Sequence, residues 1–118
     1  ALLADGSYFW TAAEPQHGWL EAASEGLNVT IEDVTERICA LSLQGPCSRD
    51  VLSSAVGRDM SDLPFFGRAD VTIGGVPVGV SRTGYSGDLG FELFMPFESA
   101  LPVWDALIKA GENYTLRV

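Results

Sequence analysis

The residues best suited to chemistry lie in one glycine-punctuated stretch, Ser81 to Glu92, which has the sequence SRTGYSGDLGFE. Three glycines within seven residues allow the backbone to adopt positive φ and to approach a ligand closely. Tyr85 and Glu92 lie seven residues apart in this stretch. A ring offers a stacking surface, and a carboxylate accepts paired N–H bonds from one edge of a flat nitrogen heterocycle. The pattern favours a heterocycle site; the alternative is a plain loop with a packed ring and a solvated carboxylate.

Two other kinds of site are not supported by the sequence. The glycine stretch lacks the lysine of a phosphate-binding GxxxxGK[ST] loop and is not followed directly by a helix. Cys39 and Cys47 are eight residues apart, which is too far for a CxxC pair, and no cluster of further ligands accompanies them. We therefore expect two reduced thiols and no metal site.

Hydrophobic periodicity predicts the elements that position the glycine stretch. Helices are expected from Pro15 to Gly26, from Cys47 or Ser48 to Gly57, and from Pro96 or Phe97 to Gly111. Strands are expected over Ser7–Ala13, Asn28–Val34, Arg37–Gln44, Phe65–Ile73, Val76–Arg82 and Phe91–Met95, with Gly74-Gly75 as a two-residue hairpin turn.

This order predicts an α+β fold with an antiparallel-rich sheet. The first six elements match the split-βαβ, ferredoxin-like plan, to which a hairpin and a C-terminal helix are added. The segment Arg37–Gln44 is largely apolar on both faces, which predicts a central strand covered on each side.

Composition excludes several classes of protein. The chain has 118 residues, 47% of them hydrophobic, and 7 basic against 16 acidic residues give a formal net charge of −9. This length fits one domain with its own core, and the charge argues against nucleic acid as a partner. No apolar run approaches the ~18 residues that span a bilayer. We expect no membrane association and a cytoplasmic location.

The string SRTGYSGDLGFEL, which begins at Ser81, resembles the RTGYTGExGFEL signature of the aminomethyltransferase family, the glycine cleavage T-protein and its relatives. Further segments agree in order and spacing, and the agreement runs from about Leu41 to Arg117. They are LSLQGP followed by SRDVL, which is similar to LxLQGPxSRxVL; LPFF; GGVPV, which is similar to GVPV; and WDAL with YTLR, which are similar to WDAL…YGLRPAG.

The resemblance implies the central folate-binding domain of a three-domain enzyme that transfers a one-carbon unit to tetrahydrofolate. By position, Tyr85 would pack on the folate, and Glu92 would hold the amino and N3 hydrogens of its pterin. Leu43 and Gln44 would line the same cavity. The other implied partner is a small-molecule methyl or aminomethyl donor.

One segment departs from the family pattern. The T-protein has an N-A-x-N stretch followed by a catalytic aspartate, whereas residues 11–19 here read TAAEPQHGW, with no aspartate. Glu14 and His17 are the only titratable groups there, so the catalytic residue is left unassigned. The departure favours relatives that move a methyl group, such as aryl-ether demethylase-like members. The alternative is a non-catalytic folate-fold module with a structural or regulatory role.

The ends of the sequence predict a fragment. The chain begins at Ala1 without a methionine and stops at Val118, inside the last family motif. We expect residues 1–118 to be a single folate-binding-domain piece of a longer multidomain chain, inactive without its flanking domains. Removal of these domains would expose apolar surface, through which the piece could form a homodimer.

Overall fold

The computed structural model describes all 118 residues, in two compact units, Ala1–Val34 and Thr35–Val118. The first unit contains helix α1 (His17–Ala23) and one isolated antiparallel bridge between Leu2 and Tyr8. The second unit contains four strands and two longer helices. They are β1 (Ile38–Gln44), α2 (Ser48–Val56), β2 (Arg68–Ile73), β3 (Val76–Ser81), β4 (Gly90–Pro96) and α3 (Ala100–Gly111). Short 3₁₀ turns cover residues 35–37, 97–99 and 112–114.

The predicted α+β class with an antiparallel sheet, a hairpin and a C-terminal helix is confirmed. The strands predicted over Ser7–Ala13 and Asn28–Val34 are wrong, because neither segment has a neighbouring strand with which to form a ladder. Aromatic and β-branched residues favour a strand only where a partner and a packed face exist. The split-βαβ order predicted for residues 7–73 therefore lacks two of its strands.

The sheet has the order β1-β4-β3-β2, and every neighbouring pair is antiparallel. β1 is thus an edge strand, and its predicted central position is wrong. Its residues alternate: Leu41 and Leu43 face the core, whereas Ala40 and Ser42 are exposed. The apolar composition of both faces of β1 therefore does not reflect burial on both faces.

The core lies between one face of the sheet and the helices α2 and α3. Thirteen buried apolar residues form it. Those that the strands contribute are Leu43, Ile73, Val78, Val80, Phe91, Leu93 and Met95, and the helices contribute Val51, Leu52, Val103 and Leu107. Each fully buried side chain of this size contributes about 1.5–3 kcal/mol to folding. The packing of this core fixes the positions of the strands, and therefore the positions of the side chains on the opposite face of the sheet.

Glycines end two of the elements as predicted. Gly57 follows α2 with φ of 78° and Gly74 begins the β2–β3 hairpin with φ of 59°, both in the left-handed region that favours glycine. β2 begins at Arg68 rather than at Phe65, because Gly67 N–H donates to the Pro64 carbonyl (2.8 Å) and closes a turn there. None of the helices is both long and apolar enough to cross a bilayer.

Candidate functional site

The sheet face opposite α2 and α3 carries a row of polar side chains, which we call the polar face: Ser42, Gln44, Ser81 and Glu92. Antiparallel register places three of them, Ser42, Glu92 and Ser81, side by side. Glu92 on β4 is directly opposite Ser42 on β1 and Ser81 on β3. Because side chains alternate along a strand, Glu92 lies on the opposite face from its buried neighbours Phe91 and Leu93.

Glu92 is half-buried and is anchored at one oxygen. The hydroxyl of Thr83 donates a hydrogen bond to Glu92 Oε2, and the same hydroxyl oxygen lies 3.1 Å from Ser81 Oγ. Glu92 Oε1 has no hydrogen bond within the chain and is not enclosed. The carboxylate therefore keeps most of its acceptor capacity.

No cation pairs with Glu92. Arg68, which is opposite Ser81 in the next strand, donates instead to both oxygens of Asp70 at 2.6 and 3.1 Å. A partly buried carboxylate that accepts one hydroxyl hydrogen bond and has no ion pair favours a ligand that brings N–H donors.

Gln44 uses its side-chain amide to hold the glycine loop. Its Oε1 accepts from Ser86 Oγ at 2.8 Å, and its Nε2 donates to Ser42 Oγ at 3.0 Å and to the Phe91 carbonyl at 3.4 Å. A Cβ placed on either Gly84 or Gly90 would overlap this amide. Two of the three loop glycines therefore make room for Gln44, and the third, Gly87, has φ of 77° in the turn.

Tyr85 lies in this loop with its side chain fully exposed, at 106% of the reference area. The far end of the loop is tied to the body of the unit, since Gly45 N–H and Ser48 Oγ both donate to the Leu89 carbonyl, at 2.8 and 3.2 Å. The ring therefore presents both faces for stacking from a loop that is held at its base.

Leu43 is placed elsewhere. Its side chain is buried in the core, on the helix side of the sheet. Leu43 and Gln44 line a cavity of about 350 Å³ together with residues such as Val51 and Tyr114, and neither Tyr85 nor Glu92 belongs to that lining. The structure thus brings Glu92 and Gln44 onto one face and does not bring Leu43 to it.

The two titratable groups of residues 11–19 lie in the first unit. His17 begins α1, and its Nδ1 is 3.7 Å from Glu21 Oε2, one turn along the same helix. Glu14 is exposed and precedes the helix.

Sequence reasoning missed Thr83, which donates to Glu92, and the two serines that lie opposite Glu92 on the neighbouring strands, Ser42 and Ser81. The available signal was alternation: Ser81 and Thr83 are two residues apart and so belong to one face of an extended segment. Their position next to Glu92 depends on the register of β3 and β4, which cannot be predicted from the residue pattern.

The chain is similar to known proteins over most of its length. The family model for the GCVT N-terminal domain matches residues 2–118. An aminomethyltransferase of Caldanaerobacter subterraneus subsp. tengcongensis is 38% identical over 105 residues, which cover 88% of this chain and 28% of that protein. An aminomethyltransferase of Mycobacterium bovis is 45% identical over 93 residues, covering 79% and 24%. One from Staphylococcus carnosus is 36% identical over 101 residues, covering 85% and 28%. The chain spans about a quarter of the length of these curated relatives.

Proposed function

This chain belongs to the family of the GCVT N-terminal domain, the glycine cleavage T-protein family, and we propose that its polar face binds the pterin of tetrahydrofolate. In this proposal the complete protein is a transferase that moves a one-carbon unit, aminomethyl or methyl, from a small-molecule donor to tetrahydrofolate. The relatives named above are aminomethyltransferases, and the resemblance of the glycine stretch to the family signature covers the residues of the proposed site.

The observation that carries the proposal is the environment of Glu92. It is a half-buried carboxylate, with one oxygen held by Thr83, the other open, and no cation beside it. A pterin presents an exocyclic amino group and a ring N–H along one edge, and these two donors match the two oxygens of a carboxylate.

Tyr85 supplies the second contact in this proposal. Its fully exposed ring would lose solvent contact by stacking on the flat ligand. An aromatic pair contributes about 0.5–1.5 kcal/mol beyond the area that it buries. Gln44 supports the site through its hydrogen bond to Ser86, which holds the loop that carries the ring.

Within the reaction, these residues bind and orient. A carboxylate that fixes the pterin edge and a ring that fixes its plane together set the position of the accepting nitrogen. Holding donor and acceptor in a reactive geometry is itself a large contribution to rate. In this proposal the small-molecule donor of the one-carbon unit binds to parts of the complete protein other than the polar face.

Titration calorimetry of the complete protein with tetrahydrofolate tests the proposal, using Glu92→Gln. The substitution keeps the shape and removes the charge, so we expect a loss of about 1.5–3 kcal/mol, the contribution of a charge-assisted bond. This corresponds to a dissociation constant raised about 10- to 150-fold. Glu98→Gln is the matched control, since Glu98 is exposed in the 3₁₀ turn before α3. Equal affinity of the wild type and Glu92→Gln would refute the pterin role.

A second candidate function is supported by one observation, the absence of an aspartate from residues 11–19. A protein without that carboxylate could bind folate in a structural or regulatory role and transfer nothing. Turnover assays on the complete protein with methyl and aminomethyl donors separate the two functions. Formation of methyl- or methylene-tetrahydrofolate supports the transferase, whereas tight folate binding without any turnover supports the non-catalytic module.

A further inference from the structure

We propose that Thr83 is a positioning residue for the Glu92 carboxylate, with the Ser81 hydroxyl behind it. This inference rests on the proposed pterin site and identifies a residue that sets its affinity without touching the ligand. Thr83 follows β3, and Glu92 lies in β4 opposite Ser81. The three side chains therefore meet at one end of the polar face.

The number of hydroxyl hydrogens determines which group donates and which accepts in the contacts among Ser81, Thr83 and Glu92. A threonine hydroxyl has a single hydrogen. Because Glu92 Oε2 is a carboxylate acceptor and Thr83 donates to it, the 3.1 Å contact between Thr83 Oγ1 and Ser81 Oγ is completed by the Ser81 hydrogen. Ser81 thus donates to Thr83, and Thr83 donates to Glu92. Donation to an ionised acceptor is the stronger kind of hydrogen bond.

The consequence for binding is conformational. The Glu92 side chain has two sp³ torsions before its carboxylate, each with three staggered positions. No ion pair and no second hydrogen bond holds the Glu92 carboxylate. Without Thr83, a ligand must select one of several rotamers, and the apparent dissociation constant rises by the inverse of the competent fraction. With three to nine accessible rotamers, we expect the affinity to fall about three- to ten-fold.

The test compares tetrahydrofolate binding to the complete protein carrying Thr83→Val, Thr83→Ser or Thr72→Val. Valine keeps the shape of threonine and removes the hydroxyl, whereas serine retains it. Thr72 is an exposed residue of β2, opposite Pro77, so Thr72→Val is a control for the substitution itself. We expect Thr83→Val to raise the dissociation constant about three- to ten-fold, and Thr83→Ser and Thr72→Val to stay near the wild type. Thermal denaturation is recorded for each variant. If the role of Thr83 were purely structural, Thr83→Val would change the melting temperature, and Thr83→Ser would not restore the affinity.

A double-mutant comparison identifies how Thr83 acts. In a Glu92→Gln background, Thr83→Val should have little further effect, since the charge that Thr83 orients is gone. An equal loss in both backgrounds, or an unchanged affinity in the single variant, would overturn the inference. If Glu92→Gln weakens binding but Thr83→Val does not, the pterin site stands and only the role of Thr83 is refuted. If Glu92→Gln itself has no effect, both fall together.

Discussion

Gly90→Ala is expected to destabilise the protein through Gln44 alone. A Cβ on Gly90 would overlap the Gln44 amide, and no positive φ is recorded for Gly90, so the backbone can accept alanine. The obstacle is the end of a flexible side chain, which can move away. Movement breaks the hydrogen bonds of that amide to Ser42, Ser86 and the Phe91 carbonyl.

The magnitude follows from those bonds. Each intramolecular hydrogen bond contributes about 0.5–1.5 kcal/mol net, and the bond to the Phe91 carbonyl is long at 3.4 Å, so the three together are worth about 1–3 kcal/mol. Replacing glycine by alanine at a compatible φ returns about 0.4–1 kcal/mol by restricting the unfolded chain. We expect the free energy of unfolding to fall by about 0.5–2 kcal/mol.

Urea unfolding of four proteins isolates the effect: the wild type, Gly90→Ala, Gln44→Ala and the double variant. Once Gln44 is alanine, Gly90→Ala should be neutral or slightly stabilising, so the coupling between the two sites should be about 1–3 kcal/mol. Gly18→Ala is the control, because a Cβ there would meet nothing within 4 Å. The same cost for Gly90→Ala with and without Gln44 would refute the reasoning.

Two further predictions concern stability. Leu93 is fully buried at the centre of β4, so Leu93→Ala should lower the free energy of unfolding by about 2–5 kcal/mol in urea denaturation. The control is Leu101→Ala, at a side chain 66% exposed on α3, which should change that free energy by less than about 0.5 kcal/mol. Equal losses in the two variants would contradict the assigned core. Asp59 accepts from the Ser61 hydroxyl at 2.6 Å and from its backbone N–H at 2.9 Å, and these bonds lower the pKa of the Asp59 carboxyl. A carboxyl group whose pKa is lower in the folded than in the unfolded state stabilises the fold at a pH above its unfolded pKa, and this stabilisation is lost as the pH falls through its folded pKa. The difference in free energy of unfolding between the wild type and Asp59→Asn should therefore shrink on acidification below about pH 4. A difference that does not vary with pH would contradict the assignment.

The elements of residues 38–111 could be predicted because their signals are local. The helical spacing of Val51, Leu52 and Ala55, the stop at Gly57 and the Gly74-Gly75 turn each describe one segment by itself. A strand depends on a partner, and for this reason the segments Ser7–Ala13 and Asn28–Val34 were predicted wrongly from residue type. The edge position of β1 is likewise a property of strand order, which composition does not carry.

In the candidate site, too, some features follow from local sequence and others depend on strand pairing. Residue type and spacing indicate Tyr85 and Glu92 as candidates for a heterocycle site, and the resemblance to the family adds the folate and pterin roles. The neighbours of Glu92 could not be predicted, since Ser42 lies fifty residues before it in the chain and meets it only through the register of β1 with β4. The glycines are expected to allow close approach of a ligand, and two of them also make room for Gln44. Chain packing and ligand access place the same demand on sequence, so residue type alone does not separate them.

A crystal structure of the complete protein with tetrahydrofolate tests the central claim most directly. The account predicts the pterin on the polar face, with its amino group and ring N–H about 2.7–2.9 Å from the two Glu92 carboxylate oxygens and the Tyr85 ring in contact with the ligand. Thr83 should still donate to Glu92 in that complex. A pterin bound elsewhere, with the Glu92 carboxylate left in solvent, would contradict the account.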